Sequence, residues 1–249
     1  MVFLWVLAGG EYFVASRWAI RHEVVNLFDS SRQRPVSVEL AARRDFLMKA
    51  NNGLWKLPIA IISNGNTVKN TEYSFLADAL AARGYLVASI QQDLPSDPPL
   101  MTRIGMPYVG RREVYMRSEA NILFVLGELQ KLRPNADFDH LTLVGHSNGG
   151  DVSMYFAMLH PKQASKVITL DNLRVPFVLS DKLKILSFRS KDPNFGSSWT
   201  QVGEFESLKG HGARHFRDIL HFCRGQNLAQ FPDGRNIKTS STALGCVRI

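Results

Sequence analysis

Leu141-Thr-Leu-Val144, an apolar run of strand length, leads straight into Gly145-x-Ser147-x-Gly149. A helix-length apolar stretch from Val152 to Leu159 follows and stops at Pro161. Strand, tight turn and helix in that order make a nucleophile elbow, which lifts a serine hydroxyl above a sheet edge. The turn is strained, and a Cβ at either flanking position, Gly145 or Gly149, would clash with the neighbouring strand or helix. Ser147 is therefore the candidate nucleophile. The five-residue pattern alone is weak, since roughly one chain in ten of this length would carry it by chance at average glycine and serine usage. The flanking residues sharpen it. They predict a strand buried on both faces before the serine and a helix N-terminus behind it, whose dipole and free N–H groups favour an oxyanion.

The 249 residues suit one α/β domain with a full core, and no repeat, low-complexity tract or linker divides them. The formal net charge of +8 suggests attraction to anionic surfaces. Its basic residues are scattered, however, with local clusters at Arg43-Arg44, Arg111-Arg112 and Arg214–Arg217, and no nucleic-acid module pattern occurs. The charge reads as a solvated surface, and nucleic acid is not an expected partner. Cys223 and Cys246 are too few for a disulfide framework; one bridge tying down the tail and two unpaired thiols both stay open. Met1 to Ala8 is apolar but short, has no basic residues before it and is followed by Glu11 and no good cleavage site. No stretch reaches the roughly eighteen apolar residues of a membrane span. A soluble, cytoplasmic protein is expected, with secretion or a periplasmic location as the alternative.

Periodicity sets out the rest of the chain. His22–Phe28 and Pro35–Leu40 alternate around a turn-rich Asp29–Arg34, which predicts an antiparallel hairpin. Leu57–Ser63 reads as a buried strand ending in Asn64-Gly65-Asn66-Thr67. Thr71–Arg83 is a helix stopped by Gly84, and Tyr85–Ile90 is a second buried strand. A Pro-rich loop, Leu94–Pro107, precedes a helix over 112–132 that ends before Pro134. After the elbow come strands at Lys166–Leu170 and Lys184–Phe188. Strands alternating with helices imply a mainly parallel sheet, and ligands then bind at the carboxyl ends of its strands. Asn64, Asp93, Ser147, Asp171 and Asp192 all fall at or just after such ends.

This order resembles the α/β-hydrolase superfamily over residues 22–195 and more thinly to about 230. Within it, the chain is most similar to cap-less bacterial serine esterases and dienelactone-hydrolase-like proteins, although dienelactone hydrolases proper carry cysteine where this chain has Ser147. The implied fold is a mostly parallel sheet with an N-terminal antiparallel hairpin, helices on both faces and no large cap. Residues 1–21 would form an N-terminal extension, 22–231 the catalytic domain and 232–249 a tail. The resemblance implies a triad in the order serine, acid, histidine. Asp192, two strands after the elbow, is the expected acid, and Asp171, one strand earlier, is the alternative. His215, in the loop before an amphipathic segment, is the expected base; His211 is the alternative, and His221 suits a packed or surface role. The implied oxyanion hole uses the backbone N–H groups of Asn148 and Asn66, with Gly65 allowing close backbone approach.

The resulting expectation is a serine esterase acting on short-to-medium acyl esters through an acyl-enzyme. The alternatives are an amidase, thioesterase or lactonase with the same triad, or a catalytically inactive binding protein. The segment from Leu94 to Arg117 is expected to wall the site, with Arg111, Arg112 and Arg117 as solvated or capping arginines. No metal-ligand spacing and no dinucleotide fingerprint in a strand–helix setting occurs, so no metal or cofactor is expected.

Overall fold

The computed structural model describes residues 19–100, 111–172, 174–178 and 180–188, together with the backbone of 244–246. Strands β1 (Ile20–Asp29) and β2 (Arg34–Arg43) form the expected hairpin, longer at both ends than the alternating residues suggest. Helix α1 (Arg44–Asn51) follows without a loop, then β3 (Leu57–Ser63). A 3₁₀ turn, Asn70–Tyr73, opens α2 (Ser74–Ala81), which leads through Gly84 to β4 (Leu86–Ile90). Helix α3 (Arg112–Leu132) and β5 (Ala136–His146) come next. After Ser147, α4 (Asn148–Leu159) precedes β6 (Ala164–Leu170), β7 (Lys184–Phe188) and β8 (Leu244–Cys246).

The eight strands lie in the order β1-β2-β4-β3-β5-β6-β7-β8. β1 pairs antiparallel with β2, and β2 antiparallel with β4; all other neighbours are parallel. β8 arises from the stretch expected to form a tail, and three residues are too few to show alternation.

The central strands are buried on both faces, and their alternation divides the core in two. Ile59 and Ile61 of β3 pack on one side with Tyr115, Ile122 and Val125 of α3 and Val152 and Phe156 of α4. Ala60 and Ile62 face the other side, with Leu76, Ala77 and Leu80 of α2. Helices thus cover both faces. Between β6 and β7 lie residues 171–183, too short a connection for a cap domain. Among the described residues, no helix is long and apolar enough to cross a membrane, and no group of three or more His, Cys, Asp or Glu could hold a metal ion.

The register levels the carboxyl ends of the parallel strands. Ser63 sits beside Ile90 and Gly145, and His146 beside Leu170, which sits beside Phe188. Ser147 leaves the sheet at this common edge.

Candidate active site

Ser147 adopts φ 51° and ψ −119°, a conformation that L-residues rarely hold, and is half-buried. Such strain costs of order 1–3 kcal/mol and persists only where surrounding structure imposes it. Here that structure is backbone packed on backbone. A Cβ on Gly145 would stand 2.1 Å from the Gly149 carbonyl oxygen, and one on Gly149 would stand 2.0 Å from the Ser63 carbonyl oxygen. Gly150 also lacks room, because its Cβ would stand 2.8 Å from the Asn172 Cβ. The glycines let β5, α4, β3 and the turn after β6 meet at one point. The Ser147 N–H donates to the Leu170 carbonyl at 2.7 Å, while its own carbonyl accepts from Gly150 and Asp151 at 3.0 and 3.2 Å. Asn148 and Gly149 open the helix, where N–H groups have no acceptor within the helix itself. Those N–H groups are the donors an oxyanion needs.

The turn after β3 is tied down from three directions. Asn64 is fully buried; its Nδ2 donates to the carbonyls of Gly65 (3.0 Å) and Val68 (2.7 Å), and its Oδ1 accepts from the Gln92 N–H (3.0 Å). The Gly65 N–H donates to the Tyr73 hydroxyl at 3.0 Å, and that hydroxyl lies 2.9 Å from Nδ1 of His146. With the Tyr73 oxygen accepting from Gly65, its O–H is placed to donate to Nδ1, the arrangement that puts the His146 proton on Nε2. Burial pulls the His146 pKa down, which favours the neutral ring, with the Asp171 carboxylate opposing. A Cβ on Gly65 would stand 2.9 Å from that Nδ1 and 3.3 Å from the Tyr73 oxygen. With the Gly65 N–H taken, Asn66 supplies the next N–H along the turn.

Tyr73 and His146 therefore tie the turn after β3 to the end of β5. Removing the Tyr73 hydroxyl leaves the Gly65 N–H and the His146 Nδ1 without partners in a buried place. Tyr73→Phe is expected to destabilise the protein by about 1–3 kcal/mol, read as a lowered melting temperature, because both buried groups lose their partner. Unchanged melting would show that the hydroxyl does not hold the turn.

Behind the elbow lies a buried ionic cluster that periodicity does not reveal. Asp151 is fully buried in the first turn of α4. It accepts from the N–H groups of Arg174 (2.8 Å) and Val175 (3.1 Å) and from the Tyr115 hydroxyl (3.4 Å), and lies 3.7 Å from the Arg174 guanidinium. Arg111 is 5% exposed and reaches Asn148 Oδ1 at 3.5 Å. Burial first, and the nearby Arg174 second, pull the Arg111 pKa below the ordinary guanidinium value. The expectation that arginines 111, 112 and 117 are solvated or helix-capping thus holds only for Arg112, which is exposed. Arg117 pairs with Asp93 at 3.2 Å and Asp97 at 3.4 Å. Asp93 is thereby committed to an ion-pair network with Arg34, Asp97 and Arg117, although burial still raises its pKa.

Among the residues singled out in the sequence, Ser147, Gly145, Gly149 and Asn148 meet at the elbow, and Asn66 lies in the exposed part of the turn beside it. Asp171 follows β6 with φ 61°, half-buried, its N–H donating to the Phe188 carbonyl at 2.6 Å. Asp192, His211, His215, His221 and Cys223 lie outside the described residues.

No family model matches the sequence, and no curated protein does. Solved structures do. A dienelactone hydrolase-like promiscuous phosphotriesterase from metagenomic libraries matches with a TM-score of 0.55 and 11% identity, over 93% of this chain and 82% of that one. A ferulic acid esterase from Streptomyces cinnamoneus matches with a TM-score of 0.52 and 19% identity, over 70% of this chain and 67% of that one. Of five other structures, the chain spans 40%, 43%, 43%, 45% and 46% of their length. Together with the strand order and the elbow, these likenesses establish that the chain has the α/β-hydrolase fold.

Proposed function

We propose that this α/β-hydrolase fold carries a serine hydrolase that cleaves carboxylic esters of short-to-medium acyl length. The observation that carries the reading is Ser147 itself, strained at φ 51° on the turn between β5 and α4, at the carboxyl edge of the sheet. A fold alone does not decide chemistry, so the weight rests on that residue and on the donors around it. The ester class is supported by the name of the ferulic acid esterase among the neighbours. The short connection between β6 and β7 supports an uncapped cleft rather than a lidded lipase site.

In the proposed mechanism, His215 accepts the Ser147 proton as Oγ attacks the ester carbonyl. The oxygen becomes an oxyanion held by the N–H groups of Asn148 and Asn66. Collapse of the tetrahedral intermediate breaks the bond to the alcohol oxygen, which takes the proton from His215. Water then attacks the acyl-enzyme by the same route, releasing the acid and restoring Ser147. Asp192 holds the imidazole and stabilises its charged form. The positive end of α4, the buried Arg111 and the half-buried Arg174 behind it favour the oxyanion electrostatically.

Labelling with a fluorophosphonate tests the reading. The folded wild-type protein should take one label, Ser147→Ala none, and hydrolysis of a p-nitrophenyl ester series should fall by several orders of magnitude in the variant. A folded wild-type protein that takes no label, or equal labelling of Ser147→Ala, would overturn it. Turnover of thioesters, amides or lactones in preference to esters would keep the triad and move the substrate class.

A further inference from the structure

The edge of the sheet opposite Ser147 carries an exposed apolar tip. Asn52, Gly53 and Leu54 donate their N–H groups back to the carbonyls of Met48, Ala50 and Lys49 at 3.1, 2.9 and 2.8 Å, closing the end of α1. Gly53 makes the reversal possible with φ +70°. The six residues from Asn51 to Lys56 are all exposed as a result. Leu54 is 75% exposed, Met48 61% and Trp55 45%. The Trp55 ring rests against Phe46, 5.6 Å between centroids, so the tip is held out by packing behind it.

Lys49, whose carbonyl accepts from Leu54 and whose ammonium lies over the Phe46 ring, and Lys56 flank this tip, and Arg44 opens the same helix. Arg44 and Lys49 are exposed and form no ion pair among the described residues, while Lys56 is shared with Asp137 (3.2 Å) and Asp139 (3.8 Å). The carboxylate of α1, Asp45, is neutralised by Arg43 at 2.6 Å. The chain enters the sheet at the same edge. Ile20, where β1 begins, pairs with Arg43, the residue before α1. The chain upstream of Ile20 includes Met-Val-Phe-Leu-Trp-Val-Leu-Ala at residues 1–8.

We propose that this edge docks on the surface of an anionic lipid bilayer. Leu54 and Trp55 enter the boundary between headgroups and acyl chains, and Arg44 and Lys49 engage lipid phosphates. An apolar tip ending in tryptophan and bordered by cations is the arrangement that interface selects. The net charge of +8 adds attraction to the same surface. A protein partner fits less well, because three large side chains fall far short of the roughly 800 Å² per partner that stable protein interfaces bury. β3 and β5 are parallel, so the tip before Leu57 and the serine after His146 lie at opposite edges. A docked molecule turns its proposed active site toward the aqueous side.

Co-sedimentation of the full chain with vesicles tests this without reference to hydrolysis. The wild-type protein should pellet with phosphatidylcholine vesicles containing phosphatidylglycerol and not with phosphatidylcholine alone, and high salt should release it. Leu54→Ser/Trp55→Ser and, separately, Arg44→Glu/Lys49→Glu should each weaken binding at least about tenfold. These side chains are exposed, and unchanged thermal melting confirms that each variant is folded. Wild-type protein that stays in solution with both vesicle types would overturn the proposal. So would binding indifferent to Leu54→Ser/Trp55→Ser, which would assign it to residues 1–8 or to general charge. A dimer seen by light scattering and lost in that variant, without vesicle binding, would assign the tip to a second copy instead.

Discussion

Gly149→Ala is expected to destabilise the protein by about 3 kcal/mol or more, a large share of the roughly 5–15 kcal/mol by which folded domains are stable. The added methyl would stand 2.0 Å from the Ser63 carbonyl oxygen and 2.6 Å from that of Asn64. Both are backbone atoms, one inside β3 and one in the turn that Asn64 locks, so no side-chain rotation can relieve the overlap. α4 must lift off β3, which carries the elbow with it. A drop in melting temperature of about 6–12 °C is expected for a chain of this size, with loss of any serine reactivity at temperatures where the protein remains folded. Gly127→Ala is the matching control. Gly127 is exposed within α3, and a Cβ there meets nothing within 4 Å. That substitution should be neutral or stabilise by up to about 1 kcal/mol. If Gly149→Ala melts like wild type, backbone contact does not hold the elbow.

His215→Ala should lower kcat/KM for an ester by about 10⁴-fold or more, if His215 is the base as proposed. Without it Ser147 keeps its proton at neutral pH, and the oxyanion donors alone provide only residual catalysis. His211→Ala should then cost less than about tenfold. The reverse ranking would transfer the role to His211. The acid can be separated in the same assay. Asp192→Asn should approach the loss of the histidine variant, because the imidazole is left in the wrong tautomer. Asp171→Asn should cost little, since its carboxylate acts on His146, whose Nδ1 is engaged with Tyr73. A larger loss in Asp171→Asn than in Asp192→Asn would make Asp171 the acid.

Elements with their own period or punctuation were legible to the residue. β3, β7 and α3 begin and end where the apolar runs and the prolines place them, because each is bounded by a change of period or a breaker. α1 gave no such warning. It follows β2 directly, Arg43 provides no side-chain cap, and Ala50 is its sole fully buried residue. Its formation depends on packing beneath the sheet rather than on its own pattern. The first half of β5 was hidden for a related reason. Asp137, Asp139 and His140 interrupt the apolar run, and pairing with β3 shifts register before the buried half begins.

The sequence by itself determined the elbow, the hairpin and the alternation of strands and helices. Those features are set by residues within a few positions of one another: glycine at either side of a serine, apolar side chains two or four apart. Tertiary structure alone decided what surrounds the serine. Tyr73 bridges Gly65 to His146, and Asp151, Arg174 and Tyr115 meet from three separate parts of the chain. None of these residues carries a local sign of its partner. Sequence pattern records which face of an element is buried, whereas a hydrogen bond between side chains 73 positions apart exists only once the sheet has brought their ends level.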